Sequence, residues 1–131
     1  MKFFIDTANL DAIKEIKAMG MCDGVTTNPS LMAKEGNTDT DRVLQEICEV
    51  VQGPVSGEVT ALDKEGMVAE GKRLAALSEH IVVKVPTTYA GLQATAELAA
   101  LDIPVNATLI FSVNQACLLY TSDAADDAMN V

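Results

Sequence analysis

The sequence has no tryptophan, one histidine, three cysteines and only nine basic residues against 19 acidic ones in 131. Each shortage excludes something. The cysteines, Cys22, Cys48 and Cys117, form no CxxC pair and stand in no His-rich spacing, so neither a disulfide framework nor a zinc site is expected. Reduced and mostly buried thiols are the expectation. A formal charge of −10 leaves no basic surface to neutralise phosphates in bulk, which argues against nucleic acid or an anionic membrane as partner. A small anionic substrate would need a local cationic pocket. No run approaches the roughly 20 apolar residues that span a bilayer. The start, Met1-Lys2-Phe3-Phe4-Ile5-Asp6, reaches an acid too soon for a secretory signal. A soluble cytoplasmic protein is therefore expected.

Apolar residues, by contrast, are plentiful: at 49% they are ample for the core of a single domain of this length. From Cys117 onward the text Cys-Leu-Leu-Tyr-Thr-Ser-Asp-Ala-Ala-Asp-Asp drops the helical periodicity that precedes it. That string resembles the translated end of a transposon adapter used in shotgun sequencing libraries. Residues 117–131 are accordingly expected to be a non-native tail, and residues 1–116 to carry the fold.

Lys2-Phe3-Phe4-Ile5 is a short apolar run ending at Asp6, and Leu10, Ile13 and Ile16 follow at helical spacing before Gly20. Gly24-Val25-Thr26-Thr27-Asn28-Pro29 is a second strand that ends at a proline, with a short helical turn around Leu31 and Met32 after it. Val43, Leu44, Ile47, Val50 and Val51 form the stripe of a longer helix, ended by Gly53-Pro54. The alternation then repeats. Val55 to Val59 is the third strand, Asp63 can cap a helix carrying Met67, Leu74 and Leu77, and Ile81 to Pro86 is the fourth strand. Thr87 or Thr88 can cap the next helix, Ile103 to Phe111 supplies a fifth strand, and Ser112 can open one more helix. Successive β-then-α units with continuous apolar strands indicate a parallel sheet buried on both faces. The phosphate fingerprints of a doubly wound sheet, GxGxxG or GxxxxGK followed by Ser or Thr, are absent. The expected fold is α/β, a parallel (β/α)8 TIM barrel with about five of its units present.

Position then singles out residues. Asp6, Asn28, Glu58, Lys84, Asn106 and Thr108 each stand at or near the carboxyl end of an expected strand, the rim on which such barrels build their sites. Singly, each has a plain structural reading: Asp6 can cap a helix, Asn28 can make an Asx turn before Pro29, and Glu58 can be a solvated strand end. Lys84 is the sharpest, because alternation places it with Val82 on one face while Ile81, Val83 and Val85 take the other. An ammonium in an apolar parallel strand must pair with an acid, lose its proton or snorkel to solvent. A neutral lysine in a dry pocket is what addition to a ketone requires.

The segments Phe-Ile-Asp-Thr-Ala-Asn (4–9), Asp-Gly-Val-Thr-Thr-Asn-Pro-Ser (23–30), Glu-Gly-Met-Val (65–68), Val-Val-Lys-Val-Pro (82–86) and Asn-Ala-Thr-Leu-Ile-Phe-Ser (106–112) resemble the small transaldolase family, which includes the fructose 6-phosphate aldolases. The likeness covers residues 1 to about 116. It implies a class I aldolase that needs no metal or other cofactor. Lys84 would form the Schiff base with a ketose phosphate and Asp6 would be the proton-transfer acid. Glu58 and Thr108 would hold a catalytic water, and Asn28, Asn106 and the neighbouring Thr27 would bind the dihydroxyacetone part of the donor. Fructose 6-phosphate aldolases tend to carry glutamine at the position of Glu58, so the resemblance favours transfer over simple release of dihydroxyacetone. The implied partners are sedoheptulose 7-phosphate, fructose 6-phosphate, glyceraldehyde 3-phosphate and erythrose 4-phosphate, and full-length relatives are expected to be homo-oligomers.

The family's phosphate-gripping arginine and serine lie on later strands, whereas this chain has only Arg42 and Arg73, both on expected helices. A barrel piece without catalysis is thus a competing reading. His80 precedes the catalytic strand at its amino end, the wrong rim for chemistry. Met19, Met21, Met32 and Met67 read as core filling, and Cys22 and Cys48 lack a neighbouring group to activate a thiol.

Overall fold

The computed structural model describes residues 1–36 and 39–120, so the expected tail lies outside the described residues from 121 onward. In chain order the elements are β1 (Phe4–Asp6), α1 (Leu10–Ala18), β2 (Gly24–Thr26), α2 (Pro29–Lys34), α3 (Thr40–Val51) and β3 (Val55–Glu58). They continue with α4 (Lys64–Ala75), β4 (Ile81–Pro86), α5 (Tyr89–Ala99), β5 (Val105–Thr108) and α6 (Val113–Tyr120). All neighbouring strands are parallel and the sheet order is β1-β2-β3-β4-β5. This is the curled sheet of an incomplete parallel (β/α) barrel, as the alternating pattern implies. Helix α6 continues to Tyr120, past Ala116, where the apolar periodicity lapses.

Side-chain polarity at the chain's joints explains where the helices begin. The carboxamides of Asn9 and Asn28 and the carboxylates of Asp39 and Asp63 each accept a hydrogen bond from a first-turn amide, and the hydroxyl of Thr88 does the same. Such a cap contributes about 1 kcal/mol. Asn9, not Asp6, caps α1, which leaves the Asp6 carboxylate at the strand end. Gly20, with φ +72°, turns the chain out of α1 in a conformation that penalises a Cβ.

Odd-numbered strand residues face the helices. Val25, Val55, Ile81, Val83, Val85 and Val105 pack with Ile13, Ile47, Val51, Met67, Leu74 and Leu98 in one buried cluster. Val82 is buried but stands apart from that cluster, on the concave face with the even-numbered residues. On α3 the stripe is completed by buried Cys48, while Val50 is only half-buried: residues 44, 47, 48 and 51 follow one helical face. At the two sheet edges, Phe3 before β1, Phe4 at its start, and Leu109, Ile110 and Phe111 beyond β5 are exposed. Lys64 of α4 pairs with Glu97 of α5 at 2.7 Å across the surface.

Two substitutions test this packing. Ile47→Ala opens a cavity under β2 and β3 and is expected to lower unfolding free energy by about 2–5 kcal/mol in urea titrations. At Gly91 a methyl would strike the Pro86 carbonyl, so Gly91→Ala should lower stability by about 1–3 kcal/mol although alanine is the better helix former.

Candidate active site

The register of β3, β4 and β5 builds the site. Glu58 pairs with Lys84 and Lys84 with Asn106, so acid, amine and amide stand in one row across the concave face. Lys84 Nζ lies 3.3 Å from Glu58 Oε2, with the two side chains only 14% and 18% exposed. The same ammonium donates to the Thr27 carbonyl at 3.4 Å. Of the fates open to a lysine in this strand, pairing with an acid is the one adopted.

One row toward the amino ends, Asp6, Thr26, Ser56 and Val82 are in register. Thr26 Oγ1 donates to Asp6 Oδ1 at 2.9 Å, which orients the exposed carboxylate from the edge strand. Asn106 Nδ2 donates to Ser56 Oγ at 3.0 Å. Asn28 caps α2 through Oδ1, which accepts from Leu31 N–H at 2.9 Å and leaves its Nδ2 as a donor. Thr27 is different. Its side chain is buried, and Oγ1 donates to the Ser56 carbonyl at 2.7 Å, so this residue meets Lys84 through its backbone oxygen. Thr108 ends β5 opposite Pro86, and its carbonyl accepts from both N–H and Oγ1 of Thr87 at 2.8 Å.

Glu58, Lys84, Asn106 and the Thr27 carbonyl are therefore brought together directly. Asp6 and Thr108 occupy the same rim from the two edge strands, and no hydrogen bond joins either to Lys84 or Glu58. A cleft of about 630 Å³ opens at the carboxyl ends of β3 to β5, with Glu58, Thr60, Pro86, Thr88, Tyr89 and Leu109 in its wall. A smaller cavity of about 140 Å³ reaches Glu58 from the side of Asn28 and α4.

A model of the transaldolase/fructose-6-phosphate aldolase family matches residues 3–126. The chain belongs to that family. Among curated proteins it is 55% identical over 125 residues to a probable transaldolase of Desulfotalea psychrophila, covering 95% of this chain and 58% of that protein. A probable transaldolase of Desulforapulum autotrophicum is 57% identical over 118 residues, or 90% of this chain and 54% of the relative. One from Methanococcus vannielii is 55% identical over the same length and shares. The chain spans rather more than half the length of the relatives it matches.

Within this transaldolase-family chain, Ser56 is the site residue that sequence reading misses. Its even position two before Glu58 was the available signal. Both arginines are engaged elsewhere: Arg42 with Glu46 at 2.9 Å along α3, and Arg73 of α4 with Asp41. His80 lies before β4 beside Cys48 and Glu79, around a separate depression on the amino side. Burial pushes the Cys22 thiol up, against the lowering effect of the Lys17 ammonium, and burial likewise raises Cys48 against a hydrogen bond with Ser78. Among the described residues no three His, Cys, Asp or Glu groups converge as a metal site, and no helix is long and apolar enough to cross a membrane.

Two outcomes are expected. Glu58→Ala strands a largely buried ammonium and should destabilise the chain by about 1–3 kcal/mol in denaturant titrations. Raised thiols carry less thiolate at a given pH, so a maleimide at pH 7 should label exposed Cys117 first, with Cys22 and Cys48 reacting at matching speed only after unfolding.

Proposed function

We propose that this chain carries the Schiff-base machinery of a transaldolase, transferring a dihydroxyacetone unit between sugar phosphates with Lys84 as nucleophile. The observation that carries this reading is the placement of Lys84 Nζ between the Glu58 carboxylate and the Thr27 carbonyl, in register with Asn106. Family membership supplies the substrate class. The donors on this reading are sedoheptulose 7-phosphate or fructose 6-phosphate, and the acceptors erythrose 4-phosphate or glyceraldehyde 3-phosphate, as in the pentose phosphate pathway of the cytoplasm. A homo-oligomer is the expected working form at full length.

Glu58 is near enough to take the proton that Lys84 must lose before its lone pair can attack the ketose C2. Nζ then bonds to C2, and the carbinolamine sheds water to give a protonated imine. The C4 hydroxyl gives its proton to Asp6 while the C3–C4 bonding pair moves into the imine. An aldose phosphate leaves, and a three-carbon enamine remains on Lys84. Its nucleophilic carbon bonds to the next aldehyde, whose oxygen is protonated, and water returning to C2 frees the amine. Glu58 and Thr108 hold that water. The Asn28 amide and Asn106 hold the hydroxyls of the retained unit. Simple release of dihydroxyacetone is the alternative, and the carboxylate at position 58 is what disfavours it.

Treating the chain with fructose 6-phosphate and borohydride is expected to fix a stable adduct on the peptide containing Lys84, and Lys84→Ala to abolish it. An adduct persisting in Lys84→Ala sinks the assignment, and none in the parent chain favours the non-catalytic barrel piece. In a chain carried to full length with the remaining residues of the Desulfotalea psychrophila protein, transfer to erythrose 4-phosphate should outrun release of dihydroxyacetone.

A further inference from the structure

Ser56 is one of the few buried polar side chains, at 4% exposure, and its two oxygens serve the two flanks of Lys84. Its carbonyl accepts from Thr27 N–H at 3.2 Å and from Thr27 Oγ1 at 2.7 Å, and the Thr27 carbonyl meets the Lys84 ammonium. Its hydroxyl accepts from Asn106 Nδ2 at 3.0 Å, a bond that links β3 to β5 across the intervening β4. A carboxamide has two interchangeable-looking ends with opposite hydrogen-bonding character. Without a fixed partner the Asn106 amide can rotate and offer either. With one Nδ2 hydrogen given to Ser56 the carboxamide is held in place, and its carbonyl oxygen Oδ1 and second Nδ2 hydrogen remain for a ligand.

We propose that Ser56 is a positioning residue that sets the orientation of Asn106 and thereby selects ketones bearing a hydroxyl beside the carbonyl. This rests on the Schiff-base reading of Lys84. A ketose hydroxyl can donate to the held Oδ1 or accept from the second Nδ2 hydrogen, and a plain ketone has no hydroxyl to offer. The selectivity of the amine for hydroxyketones therefore depends on a serine that does not itself touch the ligand.

The test uses the 131-residue chain, borohydride trapping at Lys84 with dihydroxyacetone or acetone, and the side-chain amide NMR signals of Asn106. Ser56→Ala should shift those signals and lower trapping of dihydroxyacetone about three- to tenfold, the worth of one hydrogen bond, while acetone trapping stays unchanged. Ser56→Thr, which keeps the hydroxyl, should restore the preference. In an Asn106→Ala background the serine substitution should have no further effect, as coupling through one partner requires. Equal loss for both ketones, or additive effects of the two substitutions, overturns the proposal by making Ser56 a general packing residue. If the parent chain traps neither ketone, the Schiff-base reading fails. The Asn106 signals then decide the positioning claim alone, and unmoved signals in Ser56→Ala refute it.

Discussion

An ammonium held inside a parallel sheet is the constraint from which the rest of this structure can be understood. Lys84 has apolar neighbours in its own strand, so its partners must come from adjacent strands or from solvent. The register supplies them: Glu58 from β3 and Asn106 from β5 lie directly beside it, and the Thr27 carbonyl completes the set. The same register places Val83 and Val85 against the helices, in the buried cluster with Leu74 and Leu98. A one-residue slip would send the ammonium into that cluster and the valines onto the concave face. Core packing and site assembly are thus enforced by one alternation, and neither can be altered independently.

The fold was legible because its cues are local. Apolar runs of strand length, caps such as Asp63 and Thr88, and stops such as Gly20 are read within a few residues of where they act. The rim was legible for the same reason: a polar residue at the end of an apolar strand stands out. What the sequence left open was the fate of the Lys84 charge, since pairing depends on a strand 26 positions earlier, at Glu58. Asp6 had a capping role open to it that Asn9 fills.

Ser56 illustrates the opposite limit. Its even position tells which face a serine here takes but not what it bonds, and its partner Asn106 is 50 positions away. Thr27 was read from its motif as a binding residue. Its odd position turns the side chain toward the helix layer, and only its carbonyl reaches the lysine. Parity along the strand, applied residue by residue, separates Thr27 from Thr26 and Asn28 more sharply than the motif does.

The row of acid, amine and amide is also chemically asymmetric. On one flank of Lys84 stands the Glu58 carboxylate, and the proposed reading gives proton traffic to this β3 side. On the other, a carboxamide can donate and accept, which suits the recognition of neutral hydroxyls that the proposed reading gives to the β5 side. Strands about 4.8 Å apart keep these flanks close enough to serve one carbon centre, yet on opposite sides of it. The division of labour therefore follows from which strand each residue occupies, and Ser56, anchored on the acid's strand but bonded to the amide's, is the element that ties the two flanks together.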